Sequence, residues 1–595
     1  MGKTIGIDLG TSKTCVAVFE GGIPKIINNQ EGYPTTPSVV ALSDSGEWLV
    51  GQEAKRQAVT NPQRTLTGIT RLLGHKFSDR EVAKAIENSS FKIVEGEHGD
   101  AVVEIGGKLH TPTAITAMIL TKMKQAAEAY LGEPVTEAVV TMSSSDYGQH
   151  QAIKEACRLA DLNLSRVIKG STSVSITIES VKKLENIAVF DFGAGGFNVS
   201  IIDIGDGFYE VKSTVGDPLL GGDDFDIRIA GWLVDEFQRE QGIDLHGDKQ
   251  AWVRLLEEAE KAKTRLSTLM ETEINLSYIA ADASGPKHLN LKLSRTKMEE
   301  LVADLIERTL APCRTALYAG GMSAANIDRV ILAGGMTRMS RVQEKVKEIF
   351  GQVGHKGVNP DEVVVIGAAI QGGVLTGSVK DVMLLDVNQF PIWVETSSGI
   401  CSKLINKCTT LPTKKSQIFA ATNHSTLRIH IFEGGPEMGL DKRSIGYFEI
   451  AGISQTPKGP PHIELTVDMW QGSGLAIAAK DLGADKQLDL KPIAFPASRL
   501  LPEIEADRLM MTAMKKIGQG DFCGAGLVIN EIDALGIELA EDFHFLKASY
   551  FAGIDNTGRA RYHLAAYLNK AGRRGVYYKN ALSLFNQMMA KEGKL

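Results

Sequence analysis

Cysteine is scarce in this chain: six residues in 595, namely Cys15, Cys157, Cys313, Cys401, Cys408 and Cys523. None forms a C-x-x-C pair or falls at metal-ligand spacing from a histidine, which leaves no disulfide framework and no zinc or iron–sulfur centre legible in the sequence. Buried reduced thiols are the expectation. Long apolar runs are missing too. No uncharged apolar stretch reaches the roughly 18 residues that a membrane-spanning helix needs, so none is expected. Positive charge has no excess: 65 Lys and Arg stand against 72 Asp and Glu, a net charge of −7. That balance argues against nucleic acid as the main partner. A signal or transit segment is not expected either, since strand-like sequence starts at Lys3. The expected compartment is the cytoplasm, with the mitochondrial matrix as the alternative for a trimmed mature chain.

What is present is a composition ordinary for a globular protein, 43% apolar and 23% charged, in a chain long enough for several domains each with its own core. One short pattern occurs twice. In NIAVFDFGAGGFNVSII (186–202) an apolar run delivers Asp191 onto a glycine turn, and an alternating strand, Phe197, Val199 and Ile201, returns. In KTIGIDLGTSKTCVAVF (3–19) the strand of Ile5 and Ile7 ends in Asp8, followed by Gly10, Thr11 and Ser12. Glycines in such hairpins let an anion approach backbone N–H groups with no Cβ in the way. A single copy reads equally well as a tight turn. Two copies imply two similar subdomains facing one ligand. The aspartates would repel a phosphate directly, and become useful through a hydrated Mg²⁺ held between them.

Residues 1 to about 380 alternate strand-like and helix-like segments, which predicts an α/β fold with two lobes. Trp252, Leu255, Leu256, Ala259, Ala262, Leu266 and Leu269 share one helical face, and Glu260, Lys263 and Ser267 lie on another. Residues 381–387 form a short apolar linker. From 388 to about 490, short alternating runs separated by Gly, Pro and Asn predict a β domain. Residues 500–595 read as helices with small residues (Ala548, Ala566, Ala581) set against bulky ones (Tyr550, Leu568, Phe585). Charge there is segregated: 521–555 is mainly acidic, while 556–595 is basic. The two halves either neutralise each other or present the basic helices to an acidic partner.

These motifs resemble those of the actin-like ATPase superfamily and, within it, the DnaK-type 70 kDa heat-shock chaperones. The resemblance is carried by the two hairpins and by GGDDFD (221–226), EKAKTRLS (260–267), ADASGPKH (281–288), ILAGGMTRM (331–339), VNPDE (358–362), GAAIQGGVL (367–375) and the linker DVMLLDV (381–387). It covers roughly residues 1 to 490. It implies an actin-like nucleotide-binding domain over 1–380, an interdomain linker over 381–387 and a β-sandwich resembling a substrate-binding domain over 388–490. The α-helical segment 500–595 does not look like the family's lid. It looks like tetratricopeptide-type hairpins, or equally a plain helical bundle, and is expected to bind protein partners.

The resemblance also implies a site. ATP or ADP would contact Thr11, Ser12, Gly193, Gly221, Gly222, Glu260, Lys263, Ser267, Gly334, Gly335, Arg338 and Asp361, with Mg²⁺ held through water by Asp8 and Asp191. Arg166 and Asp386 match positions that engage a J-domain co-chaperone. Val394, Phe419, Leu427 and Ile429 would line a peptide groove, arched over by Ser397 and Thr422, or else belong to the sandwich core. Trp393 would fill that groove from one end.

The departures fall on the chemistry. Thr70 stands where the family has a charge-stabilising lysine, and Arg71 beside it is expected to point elsewhere. Gly170 and Ser171 replace a glutamate and a proline, and 141–147 (TMSSSDY) lacks a second proline. In the second loop Gly196 replaces a threonine, Asn198 an aspartate, and Ala194 adds a Cβ. Phosphoryl transfer needs charge on the moving phosphate and a group that positions water. The expectation is therefore a pseudo-ATPase that binds nucleotide and serves as a scaffold or adaptor. The alternatives are a slow ATP-dependent chaperone and a structural subunit with a vestigial nucleotide site.

Overall fold

The computed structural model describes residues 3–142, 146–179, 183–355, 357–396, 401–420, 426–435, 442–454, 461–470, 474–493, 502–534, 542–571 and 578–591. Each lobe is built around a six-stranded sheet, and the two sheets repeat one arrangement. In lobe I the strand Lys3–Leu9 lies between Val135–Met142, parallel to it, and Lys13–Glu20, antiparallel. In lobe II Glu185–Phe192 lies between the parallel Arg329–Ala333 and the antiparallel Phe197–Gly205. Both central strands are buried on both faces, as their continuous apolar runs dictate. Each therefore carries its terminal aspartate, Asp8 or Asp191, out of a packed core at a fixed height.

The helix Val363–Leu375 packs along Lys3–Leu9. The approach is close: a Cβ on Gly6 would sit 2.4 Å from the Ala369 nitrogen. Beneath the second hairpin, Phe192 meets Phe197 and Phe225 at ring-centroid distances of 5.3 and 5.8 Å, edge to face.

The linker strand Met383–Val387 adds to the edge of the lobe II sheet, parallel to Phe208–Asp217, and its end pairs with Thr410–Leu411. Eight antiparallel strands between Ile392 and Ile493 form the β domain, whose inward positions (among them Ile392, Ile405, Ile463, Leu465 and Val467) make one core. Among the described residues five helices follow. Pro502–Gly518 packs with Phe522–Ala534, Asp542–Gly553 with Thr557–Ala571, and Tyr578–Lys591 on the last of these. Small residues make the close contacts: a Cβ on Gly553 would lie 1.9 Å from the Phe522 ring. The expected fold class, an α/β two-lobed unit followed by a β-sandwich and helices, is what is found. The five described cysteines are free: Cys15, Cys157 and Cys313 are buried as expected, Cys408 is only half-buried, and Cys401, on the edge strand Cys401–Ile405, is exposed.

The β domain is fastened to lobe I. Arg443 reaches both Glu81 and Asp146, at 2.9 Å for the latter, with Phe390 below its guanidinium. Glu433 accepts the Tyr147 N–H at 2.8 Å. Burial, then the neighbouring Asp146, pushes the Glu433 carboxyl from 4.5 up to about 8, against the pull of Arg443. The other charges facing this node, Asp79 and Glu81, are already paired with His75 and Arg443. When undocked, Glu433 regains its ordinary value, so across this window the docked form keeps a proton that the undocked form gives up. Docking is thus expected to be tightest near pH 5 and to weaken as pH rises through about 8. Interdomain fluorescence transfer measured from pH 5 to 9 checks this, with Glu433→Gln expected to flatten the profile. A flat wild-type profile would refute it.

Candidate functional site

Both hairpin turns are built to be tight. A Cβ on Gly10 would sit 2.3 Å from the Lys13 carbonyl, so only glycine fits there. Ser38 buttresses the first loop, its hydroxyl donating to the Gly10 carbonyl at 2.7 Å and its N–H to the Ser12 carbonyl at 3.0 Å. The second loop closes on itself, Gly193 N–H to the Gly196 carbonyl at 3.1 Å. The N-terminus of the helix Gly222–Gln241 abuts this second loop: the Gly222 and Asp223 N–H groups donate to the carbonyls of Gly193 and Ala194, each at 3.0 Å.

Asp8 and Asp191 meet at the bottom of the cleft. Burial pushes Asp8 up to about 6, partly offset by the Thr141 hydroxyl donating at 2.6 Å. Burial and then the charge of Asp8 push Asp191 to about 7. Two buried carboxylates this close, both raised by burial and Asp191 further by Asp8, need a cation to stay ionised. Among the described residues no group of three or more Asp, Glu, His or Cys is placed to hold a bare ion. A pair suits hydrated Mg²⁺, which keeps several waters and takes one or two carboxylates plus phosphate oxygens. When bound, Mg²⁺ would supply charge to the nucleotide's phosphates.

The rim comes from both lobes. Lys55 of lobe I pairs with Glu260 of lobe II at 3.1 Å. Burial alone raises the Glu260 carboxyl, and Lys55, with Lys263 and Lys13 behind it, brings it below its ordinary value. Lys84 pairs with Asp224 and donates to the Leu219 carbonyl at 2.8 Å. Lys263 donates to the Gly222 carbonyl at 2.8 Å and to Asp226 at 2.7 Å. Ser267 bonds back to its own helix at 3.3 Å. Opposite, Arg338 holds Asp361 at 2.6 Å and Asn359 at 2.8 Å. Gly334 has φ +79° and lies against the Phe192 carbonyl, where a side chain has no room, and Gly335 abuts Asp361.

The family model for the Hsp70 protein matches residues 4–521, most of the chain. The chain belongs to the Hsp70 family. Membership makes ATP or ADP with Mg²⁺ the expected occupant of this cleft and protein clients the expected partners.

In this Hsp70 the positions expected to depart from the family pattern have definite surroundings. The Thr70 hydroxyl is buried without a hydrogen-bond partner. A Cβ on Gly170 would lie 2.9 Å from Asp191 Oδ2, so that residue faces the aspartate pair. Gly196 has open space, its nearest neighbours being ordinary contacts at 3.8 Å. Asn198 is the cross-strand partner of Asp191, where a second carboxylate would oppose the first.

Two expectations are corrected. Arg71 does not point away: its Nη2 donates to the Gly195 carbonyl at 3.0 Å and the Ala194 carbonyl at 3.2 Å, and pairs with Asp223 at 3.2 Å. Trp393 does not enter a groove. Val394 is fully buried in the sandwich core, so its strand neighbour faces the other way. There Trp393 stacks on Phe432, with the Lys403 ammonium 5.1 Å from its ring centroid. Val394, Phe419, Leu427 and Ile429 all belong to the one β-domain core. Ser397 and Thr422 lie outside the described residues.

Arg166 lines an open groove of about 480 Å³ with His150, Lys154 and Trp470. Asp386 is held by Lys169 at 3.2 Å, and the same ammonium donates to the Val387 carbonyl at 2.5 Å. The sequence motifs do not single out Lys169. Its charge next to an apolar run was the available signal for a buried partner.

Proposed function

We propose that this Hsp70 binds ATP or ADP with Mg²⁺ through the residues around Asp8 and Asp191, turns it over little or not at all, and acts in the cytoplasm as a scaffold or adaptor for protein partners. The observation that carries the reading is the mismatch within one cleft. The aspartate pair and the tight loops are in place, while the two positions that would act on phosphate and water are Thr70, with an unpartnered hydroxyl, and Gly170, with no side chain. Partner binding falls to the helices of 500–595, which expose Leu527, Tyr562 and Leu582. A J-domain co-chaperone engaging Arg166 is part of the same reading, with Asp386 reached only once its buried pair with Lys169 opens.

A slow ATP-dependent chaperone is the second reading, favoured by Arg71 in the cleft. A structural subunit with a vestigial site is the third, and nucleotide binding separates it from the first. Mg²⁺ with ADP at a hundred times its Kd is expected to stabilise the protein by about 2.7 kcal/mol, read as a rise in Tm. Absence of any shift at millimolar nucleotide would sink the nucleotide part. Ending the chain at residue 499 is expected to leave that shift intact and to abolish partner capture. Capture that survives the deletion would overturn the adaptor assignment.

A further inference from the structure

We propose that the phosphate end of this cleft is closed by the chain's own residues, so that the site takes a nucleoside diphosphate in preference to the triphosphate, and that Arg71 determines this specificity. The inference rests on the nucleotide-binding reading above. The turn Ile69–Leu72 belongs to lobe I, whereas the partners of Arg71 belong to lobe II: the carbonyls of Ala194 and Gly195 and the carboxylate of Asp223. Those carbonyls are part of the very loop whose N–H groups a phosphate would use. With the guanidinium bound to them, the loop offers Arg71 its negative side and is fixed in that orientation.

The two loops also touch. A Cβ on Gly195 would lie 2.1 Å from Thr11 Oγ1 and 2.7 Å from Thr11 Cβ, which places the Thr11 side chain directly on the second loop. Thr11 and Gly195 are thus in contact where two phosphate loops would flank a terminal phosphate. Behind the contact lies a cavity of about 60 Å³ lined by Thr11, Thr70, Arg71, Lys84 and Gly195. Its cations are already occupied: Arg71 by Asp223 and Lys84 by Asp224. A third phosphate must part Thr11 from Gly195 and displace charged hydrogen bonds. A diphosphate has no group that reaches past the loops and does neither.

The test is calorimetric titration of the nucleotide-free full chain with Mg²⁺ and ADP, ATP or the non-hydrolysable β,γ-imido triphosphate. Wild type is expected to favour ADP by about tenfold or more, the worth of one charged hydrogen bond. Arg71→Ala is expected to narrow the ratio to within about threefold by improving triphosphate binding, since the bond being displaced is gone. Equal or tighter binding of the triphosphate by wild type would overturn the proposal, and that measurement needs no variant. So would an Arg71→Ala protein that loses triphosphate more than diphosphate, because Arg71 would then be a phosphate ligand. If no nucleotide binds at all, the nucleotide-binding reading itself fails and takes this inference with it.

Discussion

ATP hydrolysis by the purified chain is expected to run at least about a hundredfold below that of an Hsp70 carrying the lysine and glutamate that Thr70 and Gly170 replace. Removing one preorganised charge-stabilising donor typically costs about 10²–10³ in rate. Loss of the group that orients water is a second deficit, but the two need not multiply, because groups acting as a unit are strongly non-additive. Arg71 is a candidate for compensation, and its Nη2 is committed to two carbonyls and Asp223. The measurement is single-turnover hydrolysis of labelled ATP on nucleotide-free protein, with Asp8→Ala as the blank. A rate within tenfold of an ordinary family member would end the pseudo-ATPase reading. Thr70→Lys is expected to raise turnover measurably above the blank, since Thr70 lines the same cavity as Thr11 and Gly195.

Breaking the latch on the linker is expected to be as consequential. Lys169 and Asp386 have side chains only 5% and 9% exposed, so their ion pair is a buried one. Removing one partner of a buried pair costs about 3–5 kcal/mol, because the other charge is left without compensation in a dry site. Lys169→Met also takes away the donor to the Val387 carbonyl, at the point where the linker passes from lobe II to the β domain. Linker opening is therefore expected to become about 10²–10⁴ times more frequent. The rate of protease cleavage within 381–387 under native conditions reads that opening directly. Pairing Lys169→Met with Asp386→Leu is expected to restore much of the protection, since apolar replacement of both partners is often neutral or better. A linker as resistant in Lys169→Met as in wild type would show that the strand pairing holds it without the latch.

The two lobes, the sandwich and the helices were legible because each rests on local pattern. Apolar runs ending in Asp-x-Gly mark both hairpins, and alternation marks the β strands. What was missed depends on how those elements meet. Arg71 was set aside on the rule that neighbours do not share a face, which holds for a regular helix. Ile69–Leu72 is a short 3₁₀ turn entered through Gly68 at φ +63°, and the cleft, not a helix axis, decides which way its side chains face. Trp393 is a different kind of miss: once Val394 was placed inward, period-two alternation already required Trp393 to face outward. The partner of Lys169 could not be read locally, since 217 positions separate it from Asp386. The candidate nucleotide residues were named individually, but the cross-lobe pairs Lys55–Glu260 and Lys84–Asp224 that bring them together were not.

The surroundings of Gly170 tie that position to Asp191. A Cβ placed at 170 would start 2.9 Å from Asp191 Oδ2, closer than real Cβ contacts come, so the carboxylate end would have to turn aside. Any group added at 170 therefore also moves Asp191. The two positions behave as one unit, and substitutions at them are expected to combine non-additively.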